Sequence, residues 1–213
     1  ILSRWHYPYW TNHRPWHPLT EGVGWLRRLS DRKAAIQRSE EVLRRLSASK
    51  APYMLFPLQL NADAQVRLHS GFSGIEDAIE KVIASFATSA PLETRLIIKE
   101  HPLDNGIYDW RRIVGRIARK YGVIQRVGYV ERGDIAVMVR GAKGVVTINS
   151  TTGTLAVAEN IPVITLGQAV YNIPGITHQD GLDKFWTSPK GPDPEIFMAF
   201  RRVLIEYCLV PGG

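Results

Sequence analysis

The residues best suited to chemistry form the segment NSTTGT, 149–154, between an apolar β-branched run and a helical pattern. At a helix N-terminus the unpaired backbone N–H groups, the helix dipole and hydroxyl donors together attract an anion. Plain N-capping also favours serine and threonine there, but one cap explains one hydroxyl, not three. We therefore predict that Asn149, Ser150, Thr151 and Thr152 bind a phosphate group.

A second candidate group follows the apolar run 95–99, where Lys99 and His101 precede Pro102. A lysine would bring positive charge to a phosphate, and a histidine can donate a proton near neutral pH. The alternative is a surface turn that Pro102 terminates. Beside the hydroxyl cluster, the phosphate-binding interpretation of Lys99, His101 and Pro102 is favoured.

A third polar group, PLQLNADAQ at 57–65, contains Gln59 and the only carboxylate of that loop, Asp63. Asp63 could act as a base, a nucleophile or a stabiliser of a cationic transition state, and Gln59 could contribute to ligand binding. The alternative is an aspartate that caps a turn, and the local sequence alone slightly favours it.

The elements that must position these groups alternate along the chain. Strands are predicted at 53–56, 95–99, 123–127, 144–148 and 162–166, and helices at 75–89, 108–121, 135–140, 152–159 and 194–208. Such alternation predicts βαβ units and an α/β fold with a doubly wound parallel sheet. Ligands bind beyond the carboxyl ends of such strands, so the three polar groups are expected to share one crevice.

The first 50 residues differ from the rest of the chain. They hold ten Lys/Arg against four Asp/Glu, so +6 of the net charge of +7 lies there, together with four tryptophans. The pattern predicts a basic, Trp-rich helical lead-in at 1–50, broken near residue 30, before a Rossmann-like domain at 51–213. Basic residues with aromatics suit an anionic membrane surface, nucleic acid or an acidic partner, and a solvated helix face is the alternative.

Several classes of function are disfavoured. No apolar run approaches the ~20 residues that span a bilayer, no signal-peptide pattern is visible, and the single cysteine, Cys208, favours a reducing, cytoplasmic setting. The dinucleotide-binding GxGxxG and the P-loop lysine motifs are missing. His6, His13 and His17 lack the spacing and the further ligands of a metal site, so no metal is expected.

Four segments together, FPLQLNADAQVRLHS, IIKEHPLDNG, INSTTGT and LGQAVYNIPGITHQDGLDKFW, resemble the bacterial capsular polysaccharide synthesis family of KpsS/KpsC-type β-Kdo glycosyltransferases. The resemblance covers roughly residues 53–186. It implies a GT-B architecture, a CMP-β-Kdo donor and retention of configuration. The sequence also has no D-x-D metal-binding motif. It also implies a glycolipid or phospholipid-linked acceptor, other capsule synthesis and export proteins as partners, no nucleic acid, and a cytoplasmic, peripheral position at the anionic inner membrane.

The resemblance also assigns roles to residues. His101 and the 150–152 hydroxyls are similar to the motifs that hold CMP in bacterial sialyltransferases, and Asp63 becomes the leading catalytic carboxylate. Leu155 lies near where many UDP-sugar GT-B enzymes carry a ribose-binding glutamate, which favours CMP over UDP.

A GT-B enzyme needs two Rossmann-like domains, and we expect this sequence to be a fragment that holds the C-terminal, donor-binding one with its helical lead-in. A non-catalytic nucleotide-binding or scaffold domain of the capsule machinery is the alternative function. A third and weaker alternative is a sugar epimerase or a sialyltransferase with the same architecture.

Overall fold

A computed structural model describes residues 16–208, without the side chains of Ala64 and Gln65. Its centre is one sheet whose strands are β1 (Tyr53–Pro57), β2 (Arg95–Lys99), β3 (Val127–Val130), β4 (Gly144–Thr147) and β5 (Val163–Thr165). All neighbouring strands are parallel, in the order β3-β2-β1-β4-β5. The predicted parallel α/β sheet is confirmed.

Helices cover both faces of the sheet, as parallel strands require. The helices are α1 (Pro18–Ser30), α2 (Arg32–Ser49), α3 (Ala64–Leu68), α4 (Ile75–Ser89), α5 (Trp110–Lys120), α6 (Ile135–Gly141), α7 (Thr151–Ala158), α8 (Leu182–Thr187) and α9 (Pro194–Val203), and α9 continues into a π-helical turn, Leu204–Cys208. The sequence did not predict the short helices α3 and α8.

The two faces of the sheet bury separate apolar cores because side chains alternate along each strand. Leu96 and Ile98 of β2 belong to the core beneath α4 and α5, where Phe86 and Trp186 pack edge to face at 5.4 Å. Ile97 belongs to the opposite core, which α2, α6 and α7 cover. Full burial of each such side chain is worth about 1.5–3 kcal/mol.

The strand predicted at 123–127 is wrong in position, since β3 begins only at Val127. Gly122 has a φ of +70° and donates its N–H to the carbonyl of Arg119, while the Val123 N–H bonds the carbonyl of Ala118. This pair of bonds is a Schellman motif, which normally places an apolar residue after the glycine. Val123 is therefore buried as part of the α5 C-cap, and its β-branched side chain indicated a strand where a helix ends.

Helices α1 and α2 form the described part of the basic lead-in, and they pack against the sheet domain. Ser39 of α2 is buried, and its hydroxyl accepts the backbone N–H groups of Glu131 and Arg132 after β3. Arg38 bonds both Asp31, between the two helices, and Glu131. The lead-in therefore helps to fix the loop that follows β3.

No helix within residues 16–208 combines the length and apolar character needed to cross a membrane.

Candidate functional site

The carboxyl ends of β1 and β4 meet at the centre of the sheet, where the strand order reverses direction. Gln59, buried just after β1, donates from Nε2 to Oδ1 of Asn149 at 2.9 Å, and its Oε1 accepts the Asn149 backbone N–H at 3.1 Å. These two bonds join residues 90 positions apart across the topological switch point, the usual ligand-binding place of such sheets. Gln59 thus fixes the segment that leads into the hydroxyl cluster.

Asp63 lies within this crevice and also begins a helix. Its backbone carbonyl accepts the N–H groups of Val66 and Arg67, so it starts the short helix α3. Its carboxylate remains directed towards neighbouring polar groups, with Oδ2 3.5 Å from Nε2 of Gln59. It also interacts electrostatically with His101, opposing the lowering of that residue's pKa. The exit loops of β1 and β2 therefore bring Asp63 and His101 into one neighbourhood.

His101 is half-buried, and a single backbone bond determines its tautomer. Its Nδ1 accepts the N–H of Leu103 at 3.1 Å, so a neutral ring carries its proton on Nε2. Burial lowers the pKa of His101, although the nearby Asp104 and Asp63 carboxylates oppose the shift. The imidazole is thus suited to donate one neutral hydrogen bond from Nε2.

The hydroxyl cluster occupies the N-terminus of α7, and its three members differ. Ser150 is the N-cap, since its side chain accepts the Thr152 N–H at 3.2 Å. The Thr152 hydroxyl lies 3.3 Å from that of Ser150, and Thr151 is exposed. Capping accounts for Ser150, while Thr151 and Thr152 have no capping role in the described hydrogen bonds.

Tyr171 supports this helix start from below. Its hydroxyl donates to the Ser150 carbonyl at 2.5 Å. A Cβ on residue 153 would lie 2.1 Å from the Tyr171 hydroxyl oxygen, so a side chain there would displace the tyrosine. Only glycine lets the tyrosine reach this carbonyl, which explains the glycine inside the cluster.

Lys99 is buried, and its ammonium lies towards the end of β3 rather than towards β1 and the hydroxyl cluster. Its ammonium donates to the carbonyls of Glu100 at 2.7 Å and Glu131 at 3.3 Å, next to β3. Burial lowers its pKa to about 8. Lys99 shares the sheet face of Ile97, and the described bonds do not join it to the hydroxyl cluster. Pro102 is exposed in the turn that follows His101.

Sequence reasoning missed Arg28, which holds the His101 loop from helix α1. Its Nη2 donates to the carbonyls of Pro102 at 3.1 Å and His101 at 3.4 Å, and its Nη1 to that of Asp104 at 2.5 Å. The same Nη1 lies 2.7 Å from Oε1 of Glu100, with both side chains largely buried. Only the adjacent Arg27 and Arg28 in a helical pattern could have signalled this clamp, and such pairs are usually solvated.

The described residues contain no group of three or more His, Cys, Asp or Glu side chains placed to hold a metal ion. His17 instead caps α1 by accepting the Leu19 N–H at its Nδ1. His6 and His13 lie outside the described residues.

A family model described as "Capsule polysaccharide biosynthesis protein" matches residues 1–213. The chain belongs to this family.

Two curated relatives from capsule systems agree with that membership. The "Capsule polysaccharide export protein KpsS" of Escherichia coli is 36% identical over 96% of this chain and 54% of its own length. The "Capsule polysaccharide modification protein LipB" of Neisseria meningitidis serogroup A is 38% identical over 81% of this chain and 42% of its own length. The chain thus spans about half the length of these relatives.

A solved structure has the same fold as this chain. The "beta Kdo 2,7 transferase" KpsC of Thermosulfurimonas dismutans superposes with a TM-score of 0.50 at 14% identity, covering 87% of this chain and 53% of that one. The similarity supports the α/β architecture and, at this identity, the fold alone.

Proposed function

We propose that the chain is a glycosyltransferase, or its donor-binding half, that transfers Kdo from CMP-β-Kdo with retention. The product would be the β-Kdo linker of a lipid-anchored capsular polysaccharide. The observation that carries this proposal is the Gln59–Asn149 bridge, which joins the Asp63 loop to the hydroxyl cluster at the switch point. The matched family, and the fold shared with a Kdo transferase, support the same function.

In the proposed mechanism the CMP phosphate lies at the N-terminus of α7. Thr151, Thr152 and the helix dipole stabilise its charge, and the Nε2–H of His101 donates a hydrogen bond as the phosphate departs. Because the pKa of His101 is lowered, this donor is mainly a neutral imidazole at neutral pH.

Asp63 supplies the negative charge that the reaction requires. Departure of the nucleotide leaves an oxocarbenium-like sugar, and a carboxylate stabilises that cation or traps it covalently. Asp63 lies beside Gln59 after β1, and His101 lies in the exit loop of the neighbouring parallel strand β2, which supports placing both beside one reacting centre. Retention then follows when the acceptor arrives on the face that the phosphate left.

We also propose that the protein works at the cytoplasmic face of an anionic membrane, on a glycolipid or phospholipid-linked acceptor and beside other capsule proteins. Helix α1 supports a peripheral contact because Leu19, Val23 and Leu26 are all more than two-thirds exposed and recur at helical spacing.

Calorimetric titration of the chain with CMP, UDP and NAD in the presence of EDTA tests the donor assignment. CMP should bind without a metal, and UDP and NAD should bind much more weakly. Binding of UDP or NAD without binding of CMP would refute the assignment. CMP binding with no transfer in a complete enzyme would favour the non-catalytic alternative.

A further inference from the structure

A cavity of about 310 Å³ lies at the amino ends of β2 and β3, beside helix α2. Arg95 is the first residue of β2, and Arg126 directly precedes β3. The five residues of β2 span about 16 Å, which separates this cavity from the crevice at the carboxyl ends of the strands. Its volume lies at the lower end of the range of small-ligand pockets. The proposed donor site uses none of the residues that line it.

Three arginines line the cavity, and no carboxylate among the described residues does so. The Nε and Nη2 of Arg126 donate to carbonyls of the turn 90–94, and its Nη1 takes part in none of the described bonds. Arg95 donates only from Nη1, to two carbonyls of the same turn at 3.3 and 3.5 Å. Arg45 donates from Nε to Glu41. Because a guanidinium carries five N–H donors, each arginine keeps donors for a ligand.

The guanidinium groups of Arg95 and Arg126 are close enough to repel each other. Burial lowers the pKa of Arg126, the charge of Arg95 lowers it further, and Glu93 opposes the shift. An anion bound between the two groups would replace this repulsion by charge-assisted hydrogen bonds, and the planar fork of a guanidinium matches a phosphate. Three cations favour a phosphate group, whose charge is −1.5 to −2 near neutral pH, over a singly charged carboxylate.

Apolar side chains form the rest of the cavity wall. Ile124 lines it and is 37% exposed. Val42 and Leu46 of α2 contribute from one side, and Ile97 and Val127 of the two strands from the other. An inorganic ion would leave this apolar surface in water, whereas a ligand with an apolar part would cover it.

We propose that this cavity binds a phosphate monoester with an apolar body, at a site separate from the one proposed for the donor. The phosphate accepts hydrogen bonds from Arg45, Arg95 and Arg126, and the apolar body packs against Ile124 and the apolar side chains of α2. The inference goes beyond the proposed function and does not depend on it. Soluble aromatic phosphates and single-chain lipid phosphates share this chemistry, so the probes must distinguish them.

Calorimetric titration of the 213-residue chain at constant ionic strength tests the proposal with phenyl phosphate, hexyl phosphate, inorganic phosphate and phenol. At least one ester should bind about fivefold or more tightly than both inorganic phosphate, which lacks the apolar body, and phenol, which lacks the charge. The tighter ester shows whether the apolar body is aromatic or an alkyl chain. Absence of ester binding, or equally tight binding of inorganic phosphate or phenol, would overturn the proposal.

Arg45→Gln and Arg95→Gln should each weaken binding of the ester at least about fivefold, because charge-assisted hydrogen bonds are lost. Arg44→Gln is the matched control: Arg44 also bonds Glu41 and is exposed to a similar extent, 71% against 76% for Arg45, but it does not line the cavity. Either cavity variant suffices if the other fails to fold. A loss no larger than in Arg44→Gln contradicts the proposal.

CMP is itself a phosphate monoester, so His101→Ala separates the two sites. This variant should leave binding of the ester within about twofold of the wild type, because His101 lies beyond the opposite end of β2. Loss of ester binding in His101→Ala would place the ester in the donor site and overturn the proposal. Ester binding that depends on Arg95 would stand even if CMP did not bind.

Discussion

At the scale of residues, the proposed mechanism assigns different tasks to Asp63 and His101. Asp63 lies beside Gln59 at the β1 exit, whereas His101 presents a tautomer fixed by the Leu103 N–H. A group that acts on the sugar cation and a group that holds the phosphate should fail differently when removed. Their substitutions therefore test the proposed mechanism more directly than binding does.

Asp63→Asn in a complete enzyme should nearly abolish turnover yet change CMP affinity little, because a lost transition-state contact slows the reaction without weakening ground-state binding. His101→Ala should reduce both turnover and CMP affinity. Kinetics of Kdo transfer and calorimetry with CMP measure the two quantities. Near-normal transfer by Asp63→Asn would show that this residue only begins helix α3.

Because Lys99 is buried with a lowered pKa, we expect the stability of the fold to depend on pH in an unusual way. Its pKa is about 8 in the folded chain and near the ordinary 10.5 when unfolded, so the unfolded state binds more protons between those values. The unfolding free energy should therefore rise with pH across this window, by up to about 3 kcal/mol at 1.36 kcal/mol per pKa unit. Below pH 8 the cost of burying the charge is fully present.

Urea unfolding of the wild type and of Lys99→Met between pH 7.5 and 10.5 measures this effect. The rise should disappear in Lys99→Met and persist in Lys143→Met, which alters an exposed lysine. The wild type and the two variants contain the same tyrosines, so tyrosine ionisation contributes equally to all three curves. Parallel curves for wild type and Lys99→Met would contradict the prediction.

At the scale of elements, helix α1 and the β2 exit loop behave as one unit. A Cβ on Gly24 would lie 2.3 Å from the carbonyl oxygen of Asn105, so the helix and the loop approach at backbone distance. Arg28 then bonds three carbonyls of the same loop. The geometry of His101 therefore depends on a helix from the basic lead-in.

Arg28→Lys should lower CMP affinity several-fold while the chain stays folded, because an ammonium keeps the charge beside Glu100 but cannot reproduce the planar fork of a guanidinium. Arg27→Lys is the matched control, since the Arg27 side chain is 69% exposed. Calorimetry with CMP and thermal unfolding are the measurements. Arg28→Ala should be far less stable, by about 3–5 kcal/mol, because Glu100 would stay buried without the guanidinium that pairs with it and would keep only the hydrogen bond from the Tyr129 hydroxyl. Unchanged CMP affinity in Arg28→Lys would show that the clamp serves stability alone.

At the scale of the whole molecule, the basic charge is less available than its count implies. Arg28 is buried, Arg38 bonds two carboxylates, and Arg44 and Arg45 both bond Glu41. Paired charges attract an anionic surface weakly. A membrane contact would therefore depend on apolar residues of α1 as well as on charge.

Liposome flotation should show binding that increases with anionic lipid and falls with salt, each available basic residue contributing about 1 kcal/mol before screening. Replacing Leu19, Val23 and Leu26 together by serine should reduce binding at least several-fold. Leu92→Ser is the control, because Leu92 is 81% exposed between α4 and β2. Equal flotation with neutral vesicles, or none at all, would favour a solvated helix face instead.

The sequence by itself determined the elements whose patterns have a single local cause. The runs at Tyr53–Pro57 and Arg95–Lys99 are short, apolar and bounded by turn residues, so the strands agreed with prediction almost residue for residue. The strand predicted from Val123 was wrong because a buried valine after a glycine is typical of a Schellman motif at a helix end as well as of a strand. Alternation of side chains could have shown that Lys99 shares the face of Ile97, since the period of two needs no tertiary information.

Only the tertiary structure decided which polar residues meet. The order β3-β2-β1-β4-β5 places β4 beside β1, so Gln59 and Asn149 bond across 90 positions of chain. Arg28 reaches the His101 loop across more than 70 positions, and the cavity at the amino ends of β2 and β3 exists because α2 packs there. Contacts between distant segments follow from how complete elements pack, and local sequence patterns carry no record of that packing.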